Sequence, residues 1–323
     1  MVSILVTGSA GFIGAKTTQL LLQSGYKVIG IDNINNYYDV TVKEHRLKCL
    51  EGLSSFVFYK DDIEDINALD YIFKQHEISA VINLAARAGV RYSLINPHVY
   101  MTTNVLGTLN LLEMMRKYNV SKMILASTSS LYAGHPMPFV ESAPVNNPLS
   151  PYAASKKSAE AISYSYHYLY GMDITVLRYF TVYGPMGRPD MSVFRFIKWI
   201  DEGIPIELFG DGSQSRDFTY IDDIAKGTIL SLKLKGFQII NLGGGKQPVS
   251  INYIIEKISS LLNKEAKIDY KVFHKADMIE TSADISLAKV LLNWQPITDI
   301  EEGLINTVNW HIANRDWLKD VKL

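Results

Sequence analysis

Six short, mostly apolar runs recur through the first 180 residues, each followed by a longer stretch with helical patterning. The runs span 4–7, 28–32, 56–59, 80–85, 123–127 and 174–180. Strands that are nearly all apolar are typical of a parallel sheet covered on both faces, because neither face meets water. Their alternation with helices predicts an α/β fold with a doubly wound parallel sheet.

The pattern changes after residue 180, where glycine- and proline-rich segments separate amphipathic helices, the last near 299–317. This change predicts a second, smaller α/β lobe at the C-terminal end. The apolar run 237–243 has the composition of one more strand and is expected to return to the sheet. We therefore predict a discontinuous division. The larger domain comprises 1–179 and 218–244, and the smaller lobe comprises 180–217 and 245–323.

Composition excludes several classes of function. The 32 basic and 33 acidic residues are scattered and leave a formal net charge of −1, so no basic stripe predicts a nucleic-acid partner. Cys49 is the single cysteine; without CxxC or HExxH spacings we predict no disulfide and no metal site. Apolar runs stay below membrane-spanning length and a basic leader is missing, so a cytoplasmic protein without a membrane anchor is expected.

A glycine-rich segment lies between the first predicted strand and the first helix. Gly8, Gly11 and Gly14 would permit a tight turn whose backbone N–H groups contact a pyrophosphate at the helix N-terminus. Asp32 ends the second strand, where a carboxylate would accept hydrogen bonds from ribose hydroxyls and repel a 2′-phosphate. The combination predicts NAD rather than NADP. The third and fourth strands end at the same edge, which adds Asp62, Ile63, Leu84, Ala85 and Ala86 to the candidate site.

Tyr152 and Lys156 are four residues apart and follow the fifth strand. Ser150 is a good helix N-cap and Pro151 suits the first helical position, so both side chains should lie on one face of a helix. A nearby ammonium favours the phenolate, whose ordinary pKa of about 10 must fall by about three units for work near neutrality. The pair is a candidate general base.

The same spacing recurs twice, as Tyr118 with Lys122 and as Tyr253 with Lys257. Only Tyr152 follows a predicted strand at the ligand-binding edge, so we favour it as the functional tyrosine. Hydroxyl groups cluster at the end of the fifth strand, beside this candidate base, where they would share a substrate proton. They belong to Ser127, Thr128, Ser129 and Ser130.

Long segments of the chain resemble a known family. TGSAGFIG, YAASK and LRYFTVYGP are similar to the extended short-chain dehydrogenase/reductases. DNINNYYDVTVKEHRL, LAARAGVRYSLINPHVY, RDFTYIDD and ETSAD resemble the UDP-glucuronate 4-epimerases of that family. The resemblance implies a Rossmann-type NAD domain, a smaller lobe that binds a nucleotide sugar, and a homodimer formed through the helix that begins near Tyr152 and the one spanning about 98–118.

The resemblance also implies roles for the candidate catalytic residues. Thr128 would relay the proton of the 4-hydroxyl, Tyr152 would accept it, and Lys156 would tune Tyr152 and contact the nicotinamide ribose. The C4 hydride would go to NAD and return to the other face of a 4-keto sugar, without net redox change. The remaining cofactor contacts are assigned to Phe12, Ile13, Asn33, Asn104 and Tyr179.

A carboxylate at C6 of the sugar makes the 4-keto intermediate prone to lose carbon dioxide. Related decarboxylases carry a glutamate just after the catalytic hydroxyl residue, whereas this chain has Ser129 and Ser130. Arg188 is the expected cation for the substrate carboxylate, with Thr181 as a further donor. Arg216 would bind the diphosphate and Asp277 would lie near the uridine ribose. Gly89, Val90 and Arg91 complete the implied substrate site.

Together with the residues, the family resemblance implies C4 epimerisation of UDP-glucuronate to UDP-galacturonate, catalysed by an NAD-dependent isomerase. Three alternatives remain at this point. They are a C4 epimerase of neutral UDP-sugars (UDP-glucose or UDP-N-acetylglucosamine), a UDP-glucuronate decarboxylase, and an NAD-binding regulator without turnover, since a fold alone does not fix a function.

Overall fold

The strands supply the framework of the molecule. The computed structural model describes residues 2–273 and 278–323. Its strands are β1 (Ser3–Thr7), β2 (Lys27–Ile31), β3 (Phe56–Tyr59), β4 (Ala80–Asn83), β5 (Lys122–Thr128), β6 (Asp173–Tyr179), β7 (Thr181–Tyr183), β8 (Ile206–Phe209), β9 (Ser215–Arg216), β10 (Phe218–Tyr220), β11 (Phe237–Leu242), β12 (Val249–Ser250) and β13 (Ile268–Lys271).

Helices connect most of these strands. They are α1 (Phe12–Gln23), α2 (Val40–Lys48), α3 (Ile66–Gln75), α4 (Val90–Ile95), α5 (His98–Tyr100), α6 (Gly107–Lys117), α7 (Pro151–Tyr170), α8 (Ser192–Glu202), α9 (Ile221–Leu230), α10 (Ile251–Leu262), α11 (Ser286–Leu292), α12 (Ile300–Ala313) and α13 (Arg315–Leu318). A π-helical segment, Met101–Leu106, joins α5 to α6.

Seven strands form one parallel sheet in the order β11-β6-β5-β4-β1-β2-β3. Each of the six apolar runs of the sequence contributes a strand, and the later run at 237–243 returns beside β6 as expected. The predicted fold class, a doubly wound parallel sheet of the Rossmann type, is therefore confirmed. The exact bounds proposed for the two lobes stay a prediction.

Both faces of the sheet are buried, because successive side chains of a strand point to opposite sides. Within β1, Ile4 and Val6 pack into one apolar cluster, with residues of α1, α9 and α11. Leu5 packs into another cluster on the opposite face, with residues of α3, α6 and α7. The continuous apolar runs in the sequence follow directly from this two-sided packing.

A third apolar cluster lies largely in the C-terminal part of the chain, where it joins α8, α10 and α12. Ile197, Ile254 and Leu304 belong to it, and so does Phe12 from the first turn of α1. Phe12 therefore packs α1, the helix after the glycine-rich turn, against the cluster formed by α8, α10 and α12. Among the helices of the described residues, none has the length and apolar character that a bilayer crossing requires.

Candidate active site

A cavity of about 650 Å³ opens where the strands of the main sheet end. Gly8 and Asp32 directly follow β1 and β2, Leu84 follows β4, and Ser129 follows β5; all four line this cavity. The carboxyl ends of parallel strands meet at one edge, which is where open α/β sheets bind ligands. The topology thus brings together residues that are far apart in sequence.

The glycine-rich turn lines the cavity and is closely packed against its own backbone. Gly8 has φ +67, which is in the left-handed region that favours glycine. A Cβ on Gly14 would overlap the carbonyl oxygen of Gly8, and one on Gly11 would lie 2.9 Å from that oxygen. No side chain caps the N-terminus of α1. Only glycine therefore permits this tight turn, and the uncapped N–H groups of the helix that follows it fit the pyrophosphate of a dinucleotide.

Asp32 is fixed at the end of β2. Its Oδ2 accepts a hydrogen bond from the Ala10 N–H at 3.2 Å, and its Oδ1 accepts one from the Ile34 N–H at 2.9 Å. Lys43 Nζ lies 3.6 Å from Oδ1, a cation that the sequence patterns did not identify. The carboxylate is 8% exposed and faces the cavity, as an acceptor for ribose hydroxyls must.

The other predicted cofactor residues that the structure describes line the same cavity, with one exception. They are Phe12, Ile13, Asn33, Asp62, Ile63, Leu84, Ala85, Ala86 and Tyr179. The exception is Asn104, which is absent from the lining. Its buried amide accepts from the Arg87 N–H at 2.9 Å and donates to the Arg87 carbonyl at 3.0 Å. Asn104 thus fixes the backbone of a neighbouring loop, and its direct contact with the cofactor stays a prediction.

The candidate catalytic residues meet at one end of the cavity. The Ser150 hydroxyl caps α7 by accepting from the Ala153 N–H at 3.1 Å, and Tyr152 and Lys156 then follow one turn apart, both lining the cavity. Thr128, the last residue of β5, donates to Ser130 Oγ at 3.1 Å. The hydroxyl cluster therefore lies beside the phenol, as the sequence predicted.

The electrostatic surroundings of the pair differ from the simple expectation. Burial raises the pKa of Tyr152, while a hydrogen bond with Thr128 and the charge of Arg188 work in the opposite direction. Burial also lowers the pKa of Lys156 to about 8, and its Nζ donates to the Ala126 carbonyl at 2.9 Å. No hydrogen bond joins Lys156 to the phenol among the described residues, and its tuning role stays a prediction.

The two other tyrosine–lysine pairs have different partners. Tyr118 Oη donates to Asp70 Oδ1 at 2.9 Å, and Tyr253 Oη donates to Glu301 Oε1 at 2.7 Å. Neither tyrosine is among the described residues that line the cavity. The choice of Tyr152 from its position after the fifth strand thus agrees with the placement of all three pairs.

Arg188 forms a second group of interacting side chains in the cavity. Its Nε and Nη2 donate to Asp190 Oδ1 and Oδ2 at 3.0 and 2.6 Å. The guanidinium also lies 5.6 Å from the ring centroids of Tyr37 and Tyr38. Sequence reasoning identified Arg188 but missed Asp190 and both tyrosines. The stretch that contains the two tyrosines was noted for its resemblance, yet nothing in its spacing indicates that Arg188 contacts them.

The other expected substrate residues also face the cavity where they are described. They are Gly89, Val90, Arg91, Ser129, Ser130, Thr181 and Arg216. Arg91 lies 3.8 Å from the centroid of the Phe209 ring, and Arg216 Nη1 donates to the Ser215 carbonyl at 2.8 Å. Asp277 lies outside the described residues. Within the described chain, no three His, Cys, Asp or Glu residues form a group suited to a metal ion.

Comparison with known proteins supports the same assignment. The model of the NAD dependent epimerase/dehydratase family matches residues 4–243. A UDP-glucuronate 4-epimerase from Thermodesulfobacterium geofontis is 60% identical over 319 residues, which cover 99% of each chain. A probable UDP-glucuronate 4-epimerase from Rhizobium meliloti is 38% identical, with 96% of this chain and 97% of the relative covered.

Solved structures show the same similarity. The UDP-glucuronic acid 4-epimerase of Bacillus cereus, in complex with UDP-glucuronic acid and NAD, is 38% identical with a TM-score of 0.91, covering 97% of this chain and 100% of that one. The UDP-glucose 4-epimerase of Thermotoga maritima, with UDP-glucose, is 32% identical with a TM-score of 0.89 at the same coverage. The resemblance noted in the sequence is confirmed: this chain belongs to the NAD-dependent epimerase/dehydratase family.

Proposed function

We propose that this protein interconverts UDP-glucuronate and UDP-galacturonate by inverting the configuration at C4 of the sugar. One observation carries the proposal. A single cavity holds an acid–base group, Tyr152 with Thr128, together with a partly buried cation, Arg188, and a dinucleotide-type glycine turn. The 60% identity with a UDP-glucuronate 4-epimerase over almost the whole chain supports the same substrate.

The residues for NAD lie along one side of this cavity. The N–H groups of Phe12 and Ile13, in the first turn of α1, would bind the pyrophosphate, and Asp32 would accept hydrogen bonds from the adenosine ribose. Tyr179, Lys156 and Asn33 also line this region. When bound, NAD supplies the acceptor and donor of the C4 hydride. Its regeneration within each cycle means that turnover requires no added coenzyme.

Proton transfer is assigned to the hydroxyl groups at the ends of β5 and α7. Thr128 is close enough to Tyr152 to favour the phenolate by lowering its pKa, and it also bonds to Ser130, so Thr128 would relay a proton from the 4-hydroxyl to the phenolate and back. The positive charge of Arg188 favours that phenolate. Lys156 would donate to a ribose hydroxyl of NAD and place a second positive charge near the phenol.

The carboxylate of the sugar would be held by neutral donors and one cation. Ser129 and Ser130 contribute hydroxyl groups near Thr128, and Thr181 lines the same cavity. Arg188 supplies the charge. A firmly held carboxylate disfavours cleavage of the C5–C6 bond of the β-keto acid, because the carboxylate must turn out of this network to leave as carbon dioxide. These residues therefore favour epimerisation over decarboxylation.

The UDP portion is assigned to the cavity wall formed by the C-terminal part of the chain. Arg216 is well placed for the diphosphate, since it lines the cavity and its Nη1 is held by the carbonyls of Ser215 and Ile279 at 2.8 and 3.1 Å. The segment 207–212 resembles the family's uracil-binding segment and would contact the base through backbone atoms. We also propose a cytoplasmic homodimer, in keeping with the single cysteine and with exposed apolar residues on α7.

A neutral UDP-sugar remains a second candidate for one structural reason. Arg188 is already paired with Asp190 in this arrangement, and that ion pair reduces the positive charge available to a substrate carboxylate. An epimerase for UDP-glucose would need no free cation at this place. The acid remains favoured, because the donors of Ser129, Ser130 and Thr181 also line the cavity.

The experiment is to incubate the purified protein with UDP-glucuronate, without added NAD, and to identify the products by chromatography and proton NMR. Formation of UDP-galacturonate is the expected result. A UDP-pentose as the main product would reassign the protein to the decarboxylases. Conversion of UDP-glucose but not of the acid would favour the neutral sugar, and binding of NAD without conversion of any sugar would indicate a regulator.

A further inference from the structure

Arg46 of α2 is buried without an acidic partner. The residue is 1% exposed, and among the described residues no carboxylate forms an ion pair with it. Burying a guanidinium is costly unless its N–H groups are hydrogen-bonded. The places where those groups donate therefore indicate what this side chain does in the fold.

Four of its hydrogen bonds reach backbone carbonyls of two separate loops. Nε and Nη2 donate to the Met186 carbonyl at 3.0 and 2.7 Å, and Nη2 also donates to the Gly187 carbonyl at 2.9 Å. Nη1 donates to the Ala10 carbonyl at 3.1 Å. Met186 and Gly187 directly precede Arg188, whereas Ala10 lies within the glycine-rich turn. Arg46 thus joins the two parts of the site that hold a cofactor and a substrate carboxylate.

The same guanidinium also fixes groups around these loops. Nη1 donates to Tyr38 Oη at 2.7 Å, and the ring of Tyr38 is one of the two that Arg188 lies over. Met186 has φ +58, a conformation that is unfavourable for a residue with a side chain and persists only where surrounding contacts fix it. The two bonds from Arg46 to its carbonyl are such contacts.

We propose that Arg46 is a positioning residue that holds the segment before Arg188 against the glycine-rich turn and thereby sets where Arg188 meets the substrate carboxylate. The inference rests on the proposed function only in taking an acidic sugar as the substrate. The planar, five-donor fork of arginine suits this task, because one side chain must satisfy carbonyls from two directions. Lysine would donate to only some of these carbonyls, and methionine would donate to none of them.

The experiment is a double-mutant cycle on ligand binding. All proteins carry Tyr152→Phe, so that sugars are not converted during the titration, and calorimetry gives the Kd of UDP-glucuronate and of UDP-glucose. The set comprises R46M, R188M and R46M/R188M, with the amount of bound NAD and the thermal midpoint measured for each. Arg46→Met is expected to weaken binding of UDP-glucuronate roughly tenfold and that of UDP-glucose by less than about threefold.

If Arg46 acts through Arg188, then Arg46→Met has no further effect on the Kd of UDP-glucuronate in a protein that already carries Arg188→Met. The proposal would be overturned if Arg46→Met weakened the binding of both sugars equally, or if it raised the Kd of UDP-glucuronate by the same factor with Arg188 and with methionine at position 188. It would also be overturned by an R188M protein that binds UDP-glucuronate normally. Should R46M fail to fold, the same cycle with R46K tests the proposal. There too, the loss of affinity must be larger for UDP-glucuronate than for UDP-glucose.

Lys198→Met is the matched control. Lys198 is also a buried cation that donates to backbone carbonyls, those of Leu318 and Lys319 at 2.6 and 3.0 Å, and it does not line the cavity. This change is expected to lower the thermal midpoint without altering the ratio of the two Kd values. Because product analysis of the unaltered protein tests the reaction separately, failure of the proposed function and failure of this inference give different results.

Discussion

At the scale of single residues, Tyr152 is the group on which turnover depends. Replacing it with phenylalanine removes the proton acceptor but leaves the helix and the glycine-rich turn intact. We expect kcat with UDP-glucuronate to fall at least about a hundredfold, while the amount of NAD that co-purifies, measured after acid extraction, stays the same. A Tyr152→Phe enzyme with normal kcat would contradict the assignment of the base.

Ser129 tests how the site protects the carboxylate of the sugar. A glutamate there would place a second negative charge beside the substrate carboxylate. Two like charges about 4 Å apart near a protein surface repel by about 4 kcal/mol. We expect Ser129→Glu to raise KM for UDP-glucuronate about tenfold over Ser129→Gln, a neutral control of similar size, and to produce UDP-pentose. Equal KM values and unchanged products, measured by chromatography, would contradict this role.

Asp217 predicts a pH dependence of stability. Burial raises its pKa to about 6, although its carboxylate accepts bonds from the N–H groups of Gly244, Gly245 and Ala283. Because the folded state then binds a proton more tightly than the unfolded chain, this residue's contribution to stability is complete below pH 4 and is lost as the pH rises through 6.

The shift corresponds to about 3 kcal/mol. We therefore expect the free energy of unfolding of the unaltered protein, relative to that of Asp217→Asn, to decrease by about this amount between pH 4 and 7. Urea titrations at several pH values measure it. A difference that is constant across this range, or that increases with pH, would show that Asp217 is not held in its protonated form by the fold.

At the scale of secondary-structure elements, a buried ion pair anchors the helix that carries the catalytic pair. Arg178 on β6 donates to both carboxylate oxygens of Glu160 on α7, at 3.0 and 2.8 Å. The Ser127 hydroxyl at the end of β5 donates to the same carboxylate at 2.6 Å. The pair therefore fixes α7 relative to two strands of the sheet.

Breaking one side of a buried pair leaves the other charge unsatisfied. We expect Glu160→Gln to lower the free energy of unfolding by about 3 kcal/mol, measured by urea denaturation. Glu113→Gln is the comparison, since Glu113 pairs with Arg116 at the surface of α6, and its effect should be much smaller. Similar losses in the two variants would mean that burial adds nothing to the Glu160 pair.

The elements also show where sequence patterns are sufficient. The strands of the sheet were predictable because each has its own apolar run and its own turn residues. The interruptions within helices were not predictable from the sequence. The stretch expected as one helix near 299–317 is two, α12 and α13, separated at Asn314. The Asn314 amide donates to the Trp310 carbonyl at 2.8 Å and accepts from Trp317 at 3.0 Å, and neither contact alters the apolar periodicity.

At the scale of the whole molecule, the proposed homodimer needs an apolar surface, and α7 with the neighbouring π-helical segment offers one. Tyr168 and Leu169 on α7 are 77% and 64% exposed, and Met101 and Leu106 are exposed on the neighbouring π-helical segment. Apolar side chains grouped on adjacent helices are typical of an interface. These are the two helical regions through which the family resemblance implies a dimer.

Light scattering on a gel-filtration column tests the dimer. We expect the mass of two chains for the unaltered protein and a shift towards one chain for Leu169→Arg, because a charge would be buried at the interface. Val290→Arg is the control, since Val290 is 79% exposed on α11, away from this surface. A Leu169→Arg protein with the mass of two chains would place the interface elsewhere.

The sequence by itself determined the fold class, the edge of the sheet that binds ligands and the positions of Gly8, Asp32, Thr128 and Tyr152 along it. The physical reason is that these features are local. A glycine-rich turn, a carboxylate at a strand end and a capped helix each depend on residues within a few positions of one another. Their assembly into one site follows from parallel topology, which places every strand end at the same edge.

The tertiary structure decided how the site is held and charged. Arg46 reaches the Met186 carbonyl across 140 residues of sequence, and Asp190 occupies the fork of Arg188. Asn104 supports a loop where a cofactor contact was expected. Such contacts depend on which backbone carbonyl or carboxylate the packed chain brings near a side chain. No spacing or composition encodes that choice, because it is set by the relative placement of whole elements.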